Sequence, residues 1–287
     1  MRVFAFSDLH VDYAKNLNDI HALSDTAYRD DALLLAGDVT DDLRLLEETL
    51  VTLREKFTRV FYVPGNHELW DRRREHGHAL LRFDAILKLA RAARVDCAPA
   101  RLHGTWGAVW IVPLFSWYRR PGEGASSLFL PKRSEHPLQR WADDRFVRWP
   151  HTLNAQPADY FLSLNEPAIR AYAEPVISFS HFLPRRELMF KAPGTPRVSR
   201  LRDPHPGFNF SRVAGCSLLD AQIRRLGSQL HVYGHQHRNR DVSIDGVRYV
   251  SHCMGYPRER VSGYLQPNAM APICVWRCKE QTRYASG

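Results

Sequence analysis

Val60-Phe61-Tyr62-Val63-Pro64-Gly65-Asn66-His67-Glu68 decides how the rest of the chain is read. Four residues that suit a buried strand run into Pro-Gly, which breaks the strand. An amide, an imidazole and a carboxylate follow in succession. A buried strand that delivers polar, metal-capable groups at its carboxyl end is how open α/β sheets build active sites. Taken alone, Gly-Asn-His-Glu also fits a surface turn, because Asn and Gly favour turns. Four other segments share the pattern and decide between the two.

Val3–Phe6 reads as a strand and leads into Asp8-Leu9-His10. If the chain stays extended there, Asp8 and His10 point to the same side, since side chains alternate with period two. Ala32–Ala36 is a continuous apolar run, as a strand covered on both faces would be, and ends in Gly37-Asp38-Val39-Thr40-Asp41. Leu43, Leu46, Leu50 and Leu53 then recur at helical spacing, with Asp41 or Thr40 placed to cap that helix. Val176–Phe179 leads to His181, and Leu230–Tyr233 to Gly234-His235-Gln236-His237.

Between these strands the spacing predicts a weak helix over 19–30 and a clear amphipathic one over 78–94. It predicts further helices over 158–173 and 217–226. Residues 101–112 read as shorter strands turning at Gly104 and Gly107. Val242–Ile244 and Val247–Val250 form a hairpin across Asp245-Gly246. Strands alternating with helices predict an α/β fold with a mostly parallel sheet covered by helices.

The 287 residues, 44% of them hydrophobic, suffice for one large core or two modest ones. The expectation is a single domain over 1–287 with an insertion at about 113–157. That insertion is rich in proline and holds Trp117, Tyr118, Trp141 and Trp149, too aromatic for a disordered linker. It is either a lid or pocket wall, or a peripheral excursion with its own aromatic cluster. Trp70, Trp106, Trp117 and Tyr118 either stack a nucleoside or sugar or belong to the core.

No apolar run approaches a membrane span, and the N-terminal apolar stretch is too short for a signal peptide, so a cytoplasmic protein is expected. Five cysteines in a long chain argue against a disulfide framework. Cys274 and Cys278 lack a second pair to complete a zinc site and read as ordinary thiols. The formal net charge of +9 suits anionic substrates, from small phosphates to nucleic acid. Arg72-Arg73-Arg74 is the only tight basic run and reads as a solvated face.

Five predicted strands therefore end in Asp8 and His10, Asp38, Asn66 and His67, His181, and His235 and His237. Carboxylate, imidazole and amide oxygen without thiolate suit Mn, Fe or Zn. One cation needs four to six ligands, so a set of this size is better explained by two metals close together.

In these blocks the chain resembles the calcineurin-like metallophosphoesterases. Their signature is Asp-x-His, Gly-Asp-x-x-Asp, Gly-Asn-His-Asp/Glu, a lone His after a strand, and Gly-His-x-His. Asp8-Leu9-His10, Gly37–Asp41, Gly65–Glu68, His181 and Gly234–His237 match it in order. The resemblance implies a four-layer fold, two packed mixed β-sheets flanked by helices. It implies that Asp8, His10 and His237 hold one metal, Asn66, His181 and His235 a second, and that Asp38 bridges them. His67 would face the substrate as the catalytic residue, and Asp41 and Glu68 would orient ligands.

The implied activity is hydrolysis of a phosphomonoester or phosphodiester by a hydroxide bridging two divalent transition metals. The alternatives are a nuclease of the same family and a non-catalytic scaffold with the same fold. The chain shows no extra DNA-binding or coiled-coil segment, and no ligand position is broken. The expected partner is thus an anionic phosphoester, with nucleic acid not favoured. Oligomeric state is open. The insertion and the tail after about 250 carry no signature residue.

Overall fold

The computed structural model describes residues 1–104, 107–132, 141–153, 155–190, 207–263, 265 and 267–277. Trp106 and Cys278, both singled out from the sequence, lie outside these residues.

The first half follows the apolar periodicity. Strand β1 (Arg2–Phe6), helix α1 (Ala14–His21), β2 (Ala32–Leu35), α2 (Leu43–Lys56), β3 (Arg59–Tyr62) and α3 (Ala79–Ala92) alternate in order. Then come β4 (Ala100–Gly104), β5 (Gly107–Pro113), α4 (Asp143–Phe146), α5 (Pro157–Asn165) and β6 (Val176–Phe179). The chain continues through α6 (Ser217–Arg225), β7 (Ser228–Tyr233), β8 (Arg240–Ile244), β9 (Val247–Ser251), α7 (Pro257–Val261) and β10 (Ile273–Arg277).

The strands form two mixed sheets, in the orders β10-β1-β2-β3 and β4-β5-β6-β7-β9-β8. β1, β2 and β3 run parallel, as do β5, β6, β7 and β9, and the loops after β1, β2, β3, β6 and β7 carry the residues expected from the sequence to bind metal. Period-two alternation assigns the two faces. Val3, Ala5, Leu34 and Phe61 join Ile111, Ile177, Phe179 and Val232 in a core between the sheets. Phe4, Phe6, Leu33, Leu35 and Tyr62 turn the other way, into the cluster that also holds Leu46, Leu50, Phe83 and Ile86 from α2 and α3. This is the four-layer arrangement expected from the sequence.

Several expected boundaries move for local reasons. The weak helix expected at 19–30 lies at Ala14–His21 instead. The Ser24 hydroxyl accepts from the backbone of Thr26 and Ala27, a turn that competes with helix. Asp42, not Asp41 or Thr40, caps α2, accepting from Arg44 N at 2.9 Å and Leu45 N at 3.3 Å. The helix expected over 158–173 ends at Asn165 and tightens into a 3-10 turn through Pro167.

The tail after residue 250 supplies α7 and the edge strand β10, which pairs antiparallel with β1. Inside the insertion, Trp117 and Tyr118 are buried against Phe182, and Trp117 also meets Trp149 and Phe161. They are core, not a stacking platform for substrate.

Truncating the inter-sheet core should be expensive. Leu34→Ala is expected to lower unfolding free energy by about 2–5 kcal/mol in denaturant titration, the range for a fully buried leucine. A loss below about 1 kcal/mol would contradict close packing of the two sheets at this position.

Candidate metal centre

The loops that leave β1, β2, β6 and β7 are bound to one another by backbone. Asp8 N donates to Gly37 O at 2.9 Å, His10 N to Asp38 O at 3.1 Å, and Gly234 N to His181 O at 3.0 Å. Within these loops the chain adopts conformations that L residues disfavour. Asp8 (φ 51°), His10 (φ 44°), Asp38 (φ 56°), His235 (φ 72°) and His237 (φ 50°) all lie in the left-handed region. Each such residue costs on the order of 1–3 kcal/mol, and such residues cluster at active sites. Asp8 and His10 therefore do not converge through an extended segment, as expected from the sequence. Left-handed turns bring them together.

Glycine is required where the loops press closest. At Gly37 (φ 79°) a Cβ would lie 2.6 Å from Gly65 N and 2.7 Å from His181 Nδ1. At Gly65 it would fall on the Asp38 carboxylate. The buried Glu68 carboxylate closes this junction, accepting from Gly65 N (2.7 Å), Asp38 N (3.1 Å) and Val39 N (2.5 Å). Glu68 thus positions the ligand loops through their backbone.

Two clusters of donor atoms result. In the first, the Nε2 atoms of His10 and His237 face each other at 2.9 Å, and Asp8 Oδ1 stands 3.5 Å from His237 Nε2. In the second, Asp38, His181 and His235 offer ligand atoms within 4.8 Å of one another. Asn66 Oδ1 lies 3.2 Å from His181 Nε2 and joins this group. Asp38 stands between the clusters. Its Oδ2 is 3.4 Å from His181 Nε2 and 3.8 Å from His67 Nε2, and its Oδ1 accepts from His67 N at 2.9 Å. The His67 ring lies 4.6 Å from that of His10 and rests 3.6 Å from the indole of Trp70.

The far nitrogen of three histidines is already engaged. His181 Nδ1 meets Ala36 O at 2.8 Å, His235 Nε2 meets Val213 O at 2.9 Å, and His237 Nδ1 meets Glu259 Oε2 at 2.7 Å. Each bond fixes the ring's orientation and turns the other nitrogen toward the cluster, where its lone pair is available once the ring is neutral.

Electrostatics follow from burial and crowding. Burial opposes ionisation of Asp38, yet His181, His67 and His10 around it hold its carboxyl well below the usual range. Burial works against a charged His181 too, but Asp38 beside it pushes the ring up to about 9. Burial pushes His67 down to about 4, against the pull of Asp38, and His235 down to about 3. Burial and the charge of Asp38 push Glu68 up to about 7.

All seven expected ligands and His67 meet at this one place. Asp41 does not join them; its carboxylate pairs with Arg72, and it reaches His67 only through charge. Sequence reasoning missed Glu259, which lies in the tail and accepts from Tyr256 N as well as facing His237. It also missed Asn16, whose amide donates to Leu9 O, His10 O and Gly255 O and pins the His10 loop. Neither sits in a motif, and their neighbours in sequence (Arg258 and Arg260, Lys15 and Asn18) are themselves polar, so no local signal marked them.

The residues fit divalent cations. Two buried aspartates, an amide oxygen and imidazole nitrogens converge without a thiolate, and His10 Nδ1 is a buried polar atom with no hydrogen-bond partner among the described residues.

A fold of two mixed sheets with an Asp/His centre at their strand ends defines a metallophosphoesterase. The model of the calcineurin-like phosphoesterase family matches residues 1–239, and the chain belongs to that family of dinuclear metal-dependent hydrolases. It is similar to the acyl-carrier-protein phosphodiesterase PptH of Mycobacterium tuberculosis (strain ATCC 25618 / H37Rv), 28% identical over 276 residues, covering 90% of this chain and 78% of the relative. The crystal structure of the phosphopantetheinyl hydrolase PptH from the same organism superposes with a TM-score of 0.71 at 24% identity, covering 100% of this chain and 98% of that one. This likeness shows the fold. Among the described residues, no helix is long and apolar enough to cross a membrane.

Protons compete with metal here. His181, held near 9, carries a proton at pH 7 in the metal-free protein, so binding at its cluster must expel it. Calorimetry in buffers of different ionisation heat should show proton release at pH 7 and weaker affinity as pH falls. Uptake of divalent metal with no proton release would contradict the arrangement.

Asp38→Asn should lose more activity than any other single ligand substitution and should retain less metal by elemental analysis. Tight binding of two metals with near-normal turnover in that variant would refute a shared carboxylate.

Proposed function

We propose that Asp8, His10 and His237 hold one divalent transition metal, Mn, Fe or Zn, that Asn66, His181 and His235 hold a second, and that Asp38 bridges them. The observation that carries this reading is the pair of buried Asp/His clusters with Asp38 between them. When bound, the cations supply an activated water and neutralise the phosphoryl oxygens. The protein's own groups then set geometry. Ala36 O, Val213 O and Glu259 fix the ring orientations of His181, His235 and His237, while the Glu68 clamp fixes the loops.

His67 is the proposed catalytic residue. Its ring is held between Trp70 and His10 and is neutral at pH 7 in the metal-free protein, since burial keeps it near 4. A neutral imidazole can donate its N–H in a hydrogen bond to a phosphoryl or leaving oxygen. To act as general acid it must first take up a proton from solvent, which the negative charge of a bound substrate would favour by raising its basicity. The imidazolium would then pass that proton to the leaving oxygen and return to neutral.

For the substrate we infer a phosphodiester that joins a phosphopantetheinyl group to an acyl carrier protein. The name of the M. tuberculosis relative and the 90% of this chain that it aligns with support this reading. The net charge of +9 suits an anionic substrate. Tyr256, stacked 4.4 Å from His10, and the exposed Tyr13 ring 5.5 Å from it offer an apolar side for an organic arm.

Incubating metal-loaded protein with phosphopantetheinylated carrier protein should release the phosphopantetheine and leave a free serine, read as a mass loss. Cleavage of single-stranded DNA with an inert carrier protein would instead favour the nuclease alternative.

His67→Ala should keep both metals yet lose about 10²–10⁴-fold in turnover. The loss should be larger for alkyl esters, whose leaving oxygen needs a proton, than for nitrophenyl esters. Metal loss along with activity would make His67 a ligand instead.

A further inference from the structure

Asp143 opens α4, in the insertion that carries no signature residue. Its carboxylate is buried at 2% exposure and is filled by three donors from two parts of the chain. Oδ1 accepts from Asn66 Nδ2 at 3.0 Å and from Trp70 Nε1 at 2.6 Å. Oδ2 accepts from Trp141 Nε1 at 2.6 Å. Asn66 is a proposed ligand, and Trp70 is the indole against which His67 rests.

The chemistry of an amide gives these bonds a consequence. An asparagine has two ends of nearly equal shape, one an acceptor and one a donor, and only the oxygen binds a cation. Both Asp143 oxygens are taken by N–H donors, and Oδ1 accepts from the NH₂ end of Asn66, which leaves Asn66 Oδ1 turned toward His181 Nε2 at 3.2 Å. Without Asp143 the amide is free to turn its N–H groups inward, which repels a cation. The same carboxylate fixes Trp70. With three donors on its two oxygens, this buried carboxyl group has little freedom to turn.

We propose that Asp143 is a positioning residue through which the insertion sets the orientation of Asn66, and thereby the affinity of the second metal site. The insertion is then a structural part of the metal centre and not only a wall or a peripheral excursion. The proposal rests on the assignment of Asn66 to the second metal.

The test is Mn²⁺ titration by calorimetry on chelated protein, comparing wild type, Asp143→Ala, Asp143→Asn, Asn66→Ala and Trp141→Phe. Circular dichroism of each metal-free variant reports folding. Wild type should show two binding events. Asp143→Ala should weaken one of them by about 10–100-fold, the usual effect of removing a group that orients a ligand, and leave the other unchanged. Trp141→Phe removes one donor to the same carboxylate while keeping an aromatic ring toward His235 and the Asn66 bond intact. It should weaken the affected event less than Asp143→Ala does, and an equal loss would assign the effect to packing around His235 and overturn the proposal.

If Asp143→Ala does not fold, Asp143→Asn, of the same shape, is judged by the same criterion. Both events unchanged, or both weakened alike, overturns the proposal. Asn66→Ala separates the two assignments. If it weakens one event and the Asp143 variants weaken none, only the role of Asp143 fails. If it weakens neither, the ligand assignment of Asn66 fails first.

Discussion

A buried carboxylate surrounded by imidazoles is the constraint that organises this protein. Asp38 is taken out of water at the end of β2, where burial alone would neutralise it. It stays ionised chiefly because the His181 ring 3.4 Å away is itself pushed up to about 9 and carries a proton, with His67 and His10 packed beside it. Those rings in turn come from the ends of other strands, so the charge balance of one residue requires both sheets to end at the same edge. The left-handed backbone at five of the proposed ligand positions and the tight glycines at 37 and 65 are the local cost of that convergence. The two-sheet core supplies the stability that offsets it.

The Glu68 clamp shows how the strain is sustained. One carboxylate accepts from three backbone N–H groups in the loops after β2 and β3. Leaving such buried donors without a partner costs about 1–3 kcal/mol each, so the loops cannot relax one at a time. Asn16 does the same for the loop after β1, bonding three carbonyls from two segments. Ligands are thus held from behind, through backbone, as well as through their own rings.

Much of this was legible in the sequence because apolar runs followed by polar, metal-capable residues leave a local trace. The strands at 2–6, 32–35, 59–62, 176–179 and 228–233 and the groups at their ends could be read that way. The hairpin at Asp245-Gly246 followed from turn chemistry. What escaped was long-range. Glu259, in α7, reaches His237 from beyond the β8–β9 hairpin, and nothing near it in sequence marks that contact. β10 is short and sits at an edge, with half-exposed Cys274 and Trp276, so its pattern is weak. Asp41 matched a motif position, but in space Arg72 claims its carboxylate. Convergence of Asp8 and His10 was anticipated for the wrong reason, since alternation along a strand does not survive two left-handed residues.

The central claim is that Asp38 joins two metals into one centre. Electron paramagnetic resonance of the Mn²⁺-loaded protein tests it most directly, because a carboxylate shared between two manganese ions couples their spins. At saturation the account predicts an exchange-coupled spectrum from two ions per chain, converted by Asp38→Asn into that of isolated ions. A spectrum of isolated Mn²⁺ in the saturated wild-type protein would contradict it.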